Sequence, residues 1–240
     1  MKRPHLFTAR AALATFALAA APWGIAHAGA IQMLVVDKDG KPAPDVVVLV
    51  SSAQKVAPVA AAAPVVIAQQ DLRFAPFLTV VPVGSTLRFV NRDGYDHHVR
   101  STPSGPLGNA PAVTNFEFRL DAAAAAASPN DDYKSPAAAA HKKAGTTSAD
   151  IKLDKPGPIG LGCHIHASMR GQVYVSATPW FGKTDANGAV VIDGVPDGAA
   201  EVTLWHADQL QDQPVLPVQV SAVPAKSNAQ LNFTPRRRRS

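Results

Sequence analysis

Cysteine is nearly absent from this sequence: one residue, Cys163, in 240. That excludes an internal disulfide and every disulfide-stapled scaffold. Charge is sparse, at 17% of residues, and the excess of +5 sits at the two ends. Residues 1–28 carry Lys2, Arg3 and Arg10 and no acid, which leaves +2; setting aside Arg236 to Arg239 leaves a body of −2. No basic surface interleaved with aromatics remains, which excludes a nucleic-acid partner. The segment 235–240 reads as a solvated basic tail, with a weak contact to anionic lipid or a partner as the lesser reading. Long apolar runs are missing too, with one exception. The run "AALATFALAAAPWGIA" follows the basic front and ends in "AHA", the small-x-small pattern of a secretory leader. It is short and interrupted by Pro22 and Gly24, so it is a poor membrane span. Residues 1–28 are therefore expected to be a signal peptide cleaved near Ala28, giving an exported, periplasmic chain without stable membrane insertion.

Helical periodicity is almost absent from residues 29–240, and two-residue alternation takes its place. "IQMLVVDKDGKPAPDVVVLVSS" reads as strand, Asp-Gly turn, strand. In "TLRFV", Leu87 and Phe89 face one side and Arg88 the other. In "NFEFRL", Phe116, Phe118 and Leu120 face inward while Glu117 and Arg119 face outward. "GKTDANGAVVIDGVPDGAAEVTLWH" gives three short strands separated by "ANG" and "PDG" turns. The fold class expected is all-β, as two packed sandwiches. Residues 56–66 read as a flexible connection. Residues 121–150 are Ala-, Ser- and Lys-rich; Pro129 and Pro136 break their helix-favouring runs and no apolar face exists to dock them. They read as a loop inserted between two strands, with His141 simply solvated.

The lone cysteine stands in "GCHIHASMRG". Cys163, His166 and Met169 form C-x2-H-x2-M, a thiolate, an imidazole and a thioether in a turn between two strands. Soft sulfur favours Cu(I) and imidazole accommodates Cu(II), so the set suits copper. A further strong ligand has to come from another strand, and "NRDGYDHHVRS" offers His97 and His98. Neighbouring strand residues point to opposite faces, so one of the two enters the site. Zinc also takes Cys and His, but rarely recruits Met.

Two segments carry a family resemblance. Asn91 through Val99 resembles the N-x-x-x-x-x-His-Asn-Val segment of cupredoxins. Cys163, His166, Met169, Arg170, Gly171, Val173 and Val175 resemble the C-x2-H-x2-M-R-G-x-V-x-V segment of amicyanin. "HHV" with "LGCxIHxxMxG", then "TPWFGKTDANG" and "LWH", is similar to the periplasmic plastocyanin-like proteins called methylamine-utilisation proteins. The resemblance covers most of residues 30–210. It implies a cupredoxin Greek-key β-sandwich holding one type 1 copper on His97, Cys163, His166 and Met169. His98 then occupies the position commonly filled by an Asn that locks the cysteine loop, and His98 and Asn91 become supporting residues behind the ligands. Two departures bear on docking: "HASM" lacks an aromatic usual in the closer family, and residues 121–150 have no counterpart.

"LVVDKDGKPAPDVVVLV" and the segment from 179 onward resemble the two halves of a carboxypeptidase-regulatory or transthyretin-like sandwich. The implied organisation is residues 29–55 and 179–234 as that sandwich, with the cupredoxin unit at 64–178 inserted. Trp205 and His206 would pack within it, and Trp180 with Phe181 would form the hinge contact. The function implied is a one-electron carrier for a transient redox partner, a cytochrome or a dehydrogenase, rather than an enzyme. Copper enzymes generally need a second centre, and His98, His141, His164 and His206 show no spaced cluster in the sequence. The other readings are a copper carrier without redox duty and a structural sandwich with a vestigial site.

Overall fold

The computed structural model describes residues 28–123 and 145–236. The expected leader, the basic run beyond Arg236 and most of the Ala-rich stretch, His141 included, lie outside the described residues. Sixteen strands and no α-helix occur within them. No helix among the described residues is long and apolar enough to cross a membrane.

The central sandwich has two sheets. One orders β5 (Leu78–Pro82), β11 (Arg170–Ser176), β10 (Gly157–Cys163), β7 (His97–Thr102) and β8 (Glu117–Leu120). The other orders β4 (Arg73–Ala75), β3 (Val65–Gln70), β6 (Thr86–Asn91) and β9 (Ser148–Lys152). Strands β3 and β6 pair in parallel, as do β5 and β11, so each sheet joins strands distant in sequence as well as consecutive ones. Alternation drives the packing: in β6, Leu87 and Phe89 are buried while Arg88 is exposed. Phe89 meets Phe116 and Phe118 at ring-centroid separations of 5.5 and 5.4 Å, and Ile67, Leu120, Leu161 and Val173 complete the core. On the outer face of β6, Arg88 forks onto Asp150 of β9 at 2.7 and 2.6 Å.

The strands flanking this sandwich along the chain pair with each other. β1 (Ala28–Val36) lies between β13 (Ala189–Pro196) and β16 (Ala225–Gln230), antiparallel to the first and parallel to the second. β2 (Val47–Ser52) lies between β12 (Phe181–Lys183) and β14 (Gly198–Trp205), with β15 (Leu216–Val220) outside β14. Ile31, Met33, Val50, Ile192, Val202 and Leu204 fill the space between these sheets. One tight turn fixes the entry to β13. Gly188 has φ +76°, its carbonyl accepts from the Val35 amide at 2.8 Å, and a Cβ there would strike the Val35 oxygen.

The contact between the sandwiches differs from the expected hinge. Trp180 is buried within the terminal sandwich, its indole N–H donating to the Gly194 carbonyl at 2.7 Å, and Phe181 pairs with Leu49 in β12. The junction is made by Trp205 instead. It sits with Val47 against Leu78 of the central sandwich, and its ring lies 5.0 Å from Tyr174. Trp205 ends β14, where alternation aims it out of its own core. His206 stays inside: it is buried, its Nδ1 accepts from the Asp208 amide at 3.0 Å, and its ring lies 5.6 Å from Phe233.

Candidate metal centre

Register brings the two ligand segments together. β7 and β10 are antiparallel, with Cys163 opposite Val99. His97, two residues from Val99, therefore shares its inward face, while His98 and Arg100 face outward. Two backbone bonds clamp this end of the sheet. The His98 amide donates to Cys163 Sγ at 3.4 Å, and the His164 amide donates to the His98 carbonyl at 2.8 Å. The chain then turns, the Met169 amide donating to the His166 carbonyl at 2.9 Å, which folds His166 back over Cys163.

Three donor atoms converge. Cys163 Sγ lies 3.7 Å from His97 Nδ1 and 3.5 Å from His166 Nδ1, and the two nitrogens are 3.2 Å apart. His97 and Cys163 are buried and His166 is partly exposed. Bonds of about 2.0 Å to nitrogen and about 2.3 Å to sulfur, at angles between tetrahedral and trigonal, separate nitrogens by about 3.3–3.5 Å and nitrogen from sulfur by about 3.5–3.7 Å. The donor set therefore fits one transition-metal ion. Met169 is 1% exposed and packs in the same apolar cluster as Cys163.

The surroundings orient these ligands. His97 Nε2 lies 2.8 Å from a carboxylate oxygen of Asp93. A carboxylate only accepts, so Nε2 carries the proton and Nδ1 presents its lone pair toward Cys163. Burial by itself would raise the Asp93 carboxyl. The hydrogen bond from His97 and those from the Asp71 and Leu72 amides outweigh it and hold Asp93 below the usual carboxylate range. Asn91 ties the loop: its side-chain NH2 donates to the Tyr95 and Asp121 carbonyls, both at 2.8 Å, and its oxygen accepts from the Asp93 amide at 2.9 Å. The Tyr95 ring packs at 5.3 Å from both His97 and His166.

Neither Asp93 nor Tyr95 stood out in the sequence. The available signal for Asp93 was chemical: a buried imidazole ligand needs an acceptor for its other N–H, and the 91–97 loop holds two acids. Tyr95 supplies an aromatic beside the site, where the "HASM" stretch has none. His98 uses its backbone and its ring separately. Its backbone holds the cysteine loop, while its ring turns outward, Nε2 lying 3.0 Å from Glu117. His98 and His164, far apart in sequence, have ring centroids 5.5 Å apart, so two of the spare histidines do cluster.

The architecture is thus a cupredoxin-like Greek-key β-sandwich, with a second β-sandwich beside it, carrying a His-Cys-His group that fits copper. No family model matches the chain, and no curated protein matches it. Among solved structures, the chain is similar to a Cu-containing nitrite reductase from Thermus scotoductus SA-01, at 22% identity over 49% of this chain and 25% of that one, with a TM-score of 0.33. It thus spans a quarter of that protein's length. It is also similar to the Cu(I) form of a methionine-to-alanine mutant of amicyanin, at 18% identity over 54% and 98% of the two chains, TM-score 0.32. A third is a purple cupredoxin from Nitrosopumilus maritimus, at 16% identity over 48% and 99%, TM-score 0.31.

Proposed function

We propose that this chain is an exported type 1 copper protein, a periplasmic one-electron carrier. His97, Cys163 and His166 would hold the ion, and Met169 would offer a further, weaker sulfur ligand. The observation that carries this reading is the convergence of Nδ1, Sγ and Nδ1 within 3.7 Å of one another at a buried β-sheet end. Copper bound there supplies a Cu(II)/Cu(I) couple. The protein's part is to keep the donors in one arrangement for both charge states. Strand register fixes His97 and Cys163, the Asp93 bond fixes the His97 ring, and Asn91 fixes the loop between them.

His166 is the most exposed of the three and marks the electron exit. Exposed Leu72, Tyr95 and Ile165 supply apolar surface for a transient partner, a cytochrome or a dehydrogenase. The link to methylamine utilisation rests on sequence resemblance alone. Adding Cu(II) to the protein is expected to produce an intense thiolate-to-copper absorption that is lost on reduction and restored on reoxidation. Cys163→Ser abolishes it. Colour that survives this substitution sinks the ligand assignment, and a Cu(I) form that resists reoxidation favours a copper carrier without redox duty.

A further inference from the structure

We infer, resting on the copper reading above, that Tyr95 is a positioning residue for His166: its ring steadies the second imidazole as the Asp93 carboxylate steadies the first. The two imidazoles are otherwise supported unequally. His97 is buried on β7, and its Nε2 is tied to Asp93 at 2.8 Å. His166 stands in the turn after β10, where His164, Ile165, Ala167 and Ser168 are all exposed. Its carbonyl accepts from the Met169 amide at 2.9 Å, a bond that fixes the turn and leaves the ring free to rotate. Its Nδ1 faces Cys163 and His97, and among the described residues no side chain bonds its Nε2.

Tyr95 packs where that support is needed. Its ring lies 5.3 Å from His166 at 66° and 5.3 Å from His97 at 61°, and the two imidazoles are 4.9 Å apart at 65°. The three rings stand edge to face in a closed triangle, the arrangement that aromatic pairs favour. A side chain that orients another has to be fixed itself, and the loop is clamped on both sides of Tyr95. The Asn91 side-chain NH2 donates to the Tyr95 carbonyl at 2.8 Å, and the Asn91 oxygen accepts from the Asp93 amide at 2.9 Å. Beyond it, the Asp96 carboxylate accepts from the Ala122 amide at 2.7 Å and pairs with Arg119. Tyr95 therefore transfers the rigidity of the β6–β7 loop to a ligand on a separate, less tethered turn. It is 41% exposed, so it acts from the rim of the site and fills little core space.

Carbon-relaxation NMR of the histidine rings in the metal-free protein tests this apart from copper binding. In Tyr95→Ala the His166 ring is expected to gain freedom on the nanosecond scale, while His97, held by Asp93, keeps its wild-type order. Tyr95→Phe, which keeps the ring and removes only the hydroxyl, is expected to retain wild-type order at His166. With Cu(II) added, Tyr95→Ala is expected to bind about tenfold more weakly than wild type in competition with a chelator, and Tyr95→Phe as tightly as wild type. A His166 ring as rigid in Tyr95→Ala as in wild type overturns the inference, and so does an unchanged Cu(II) affinity in that variant. A His166 ring freed equally by Tyr95→Phe and Tyr95→Ala overturns it too, because the hydroxyl and not the packed ring would then be responsible. A wild-type chain that takes up no copper sinks the copper reading alone, and the metal-free rings still decide whether Tyr95 holds His166.

Discussion

Asp93 decides which nitrogen of His97 is free. Its carboxylate accepts from Nε2–H and from the Asp71 amide, using both oxygens in a buried loop. An Asn there keeps the size but turns one of those contacts into donor against donor. Asp93→Asn is therefore expected to lower copper affinity about 10- to 100-fold while the chain stays folded, measured by competition with a chelator. Asn91 acts one step further out and on stability. It is 2% exposed and makes three short bonds to the loop backbone. Asn91→Ala strands buried carbonyls and an amide, and should cost about 2–3 kcal/mol in urea unfolding.

Alternation along β6 and β8 makes the central core legible. Phe89, Phe116 and Phe118 have the inward phase in the sequence and form one aromatic cluster. Phe89→Ala empties its middle and is expected to cost about 3–5 kcal/mol, read from the thermal or urea midpoint. On the opposite face of the same strand, the Arg88–Asp150 fork is exposed at 46% and 42%, so Arg88→Ala should shift that midpoint little. β7 shows where strand reading ends. Alternation says that one of His97 and His98 enters the site, but both choices satisfy the pattern. The phase is set by pairing with β10, which places Val99 opposite Cys163.

Across the whole molecule, the two sandwiches meet at a small apolar junction of Val47, Leu78, Ala207 and Trp205, with Tyr174 against the tryptophan. Trp205→Ala should uncouple them, which differential scanning calorimetry would register as two transitions in place of one. Tyr174 adds a pH dependence. Burial, with a smaller contribution from Asp212, pushes its hydroxyl above the ordinary 10.0. The folded state disfavours the phenolate, so stability is full below about pH 10, where the unfolded chain is also protonated, and declines as pH rises through the folded value. Tyr174→Phe is expected to flatten this alkaline decline when unfolding midpoints at pH 9 and 11 are compared.

The local chemistry was determined by sequence alone. Cysteine scarcity, two-residue alternation, the turn dipeptides and the C-x2-H-x2-M spacing are properties of neighbouring residues, and backbone geometry turns them directly into strands and a candidate ligand loop. What only the tertiary structure decided is everything that depends on strands distant in the chain becoming neighbours. It recruited Asp93 and Tyr95, and made Trp205 rather than Trp180 the contact between sandwiches. It also set His164 beside His98 across 65 intervening residues of chain. The physical reason is that sheet register is a long-range property. One residue of slip sends every side chain to the other face, and no local pattern records which register wins.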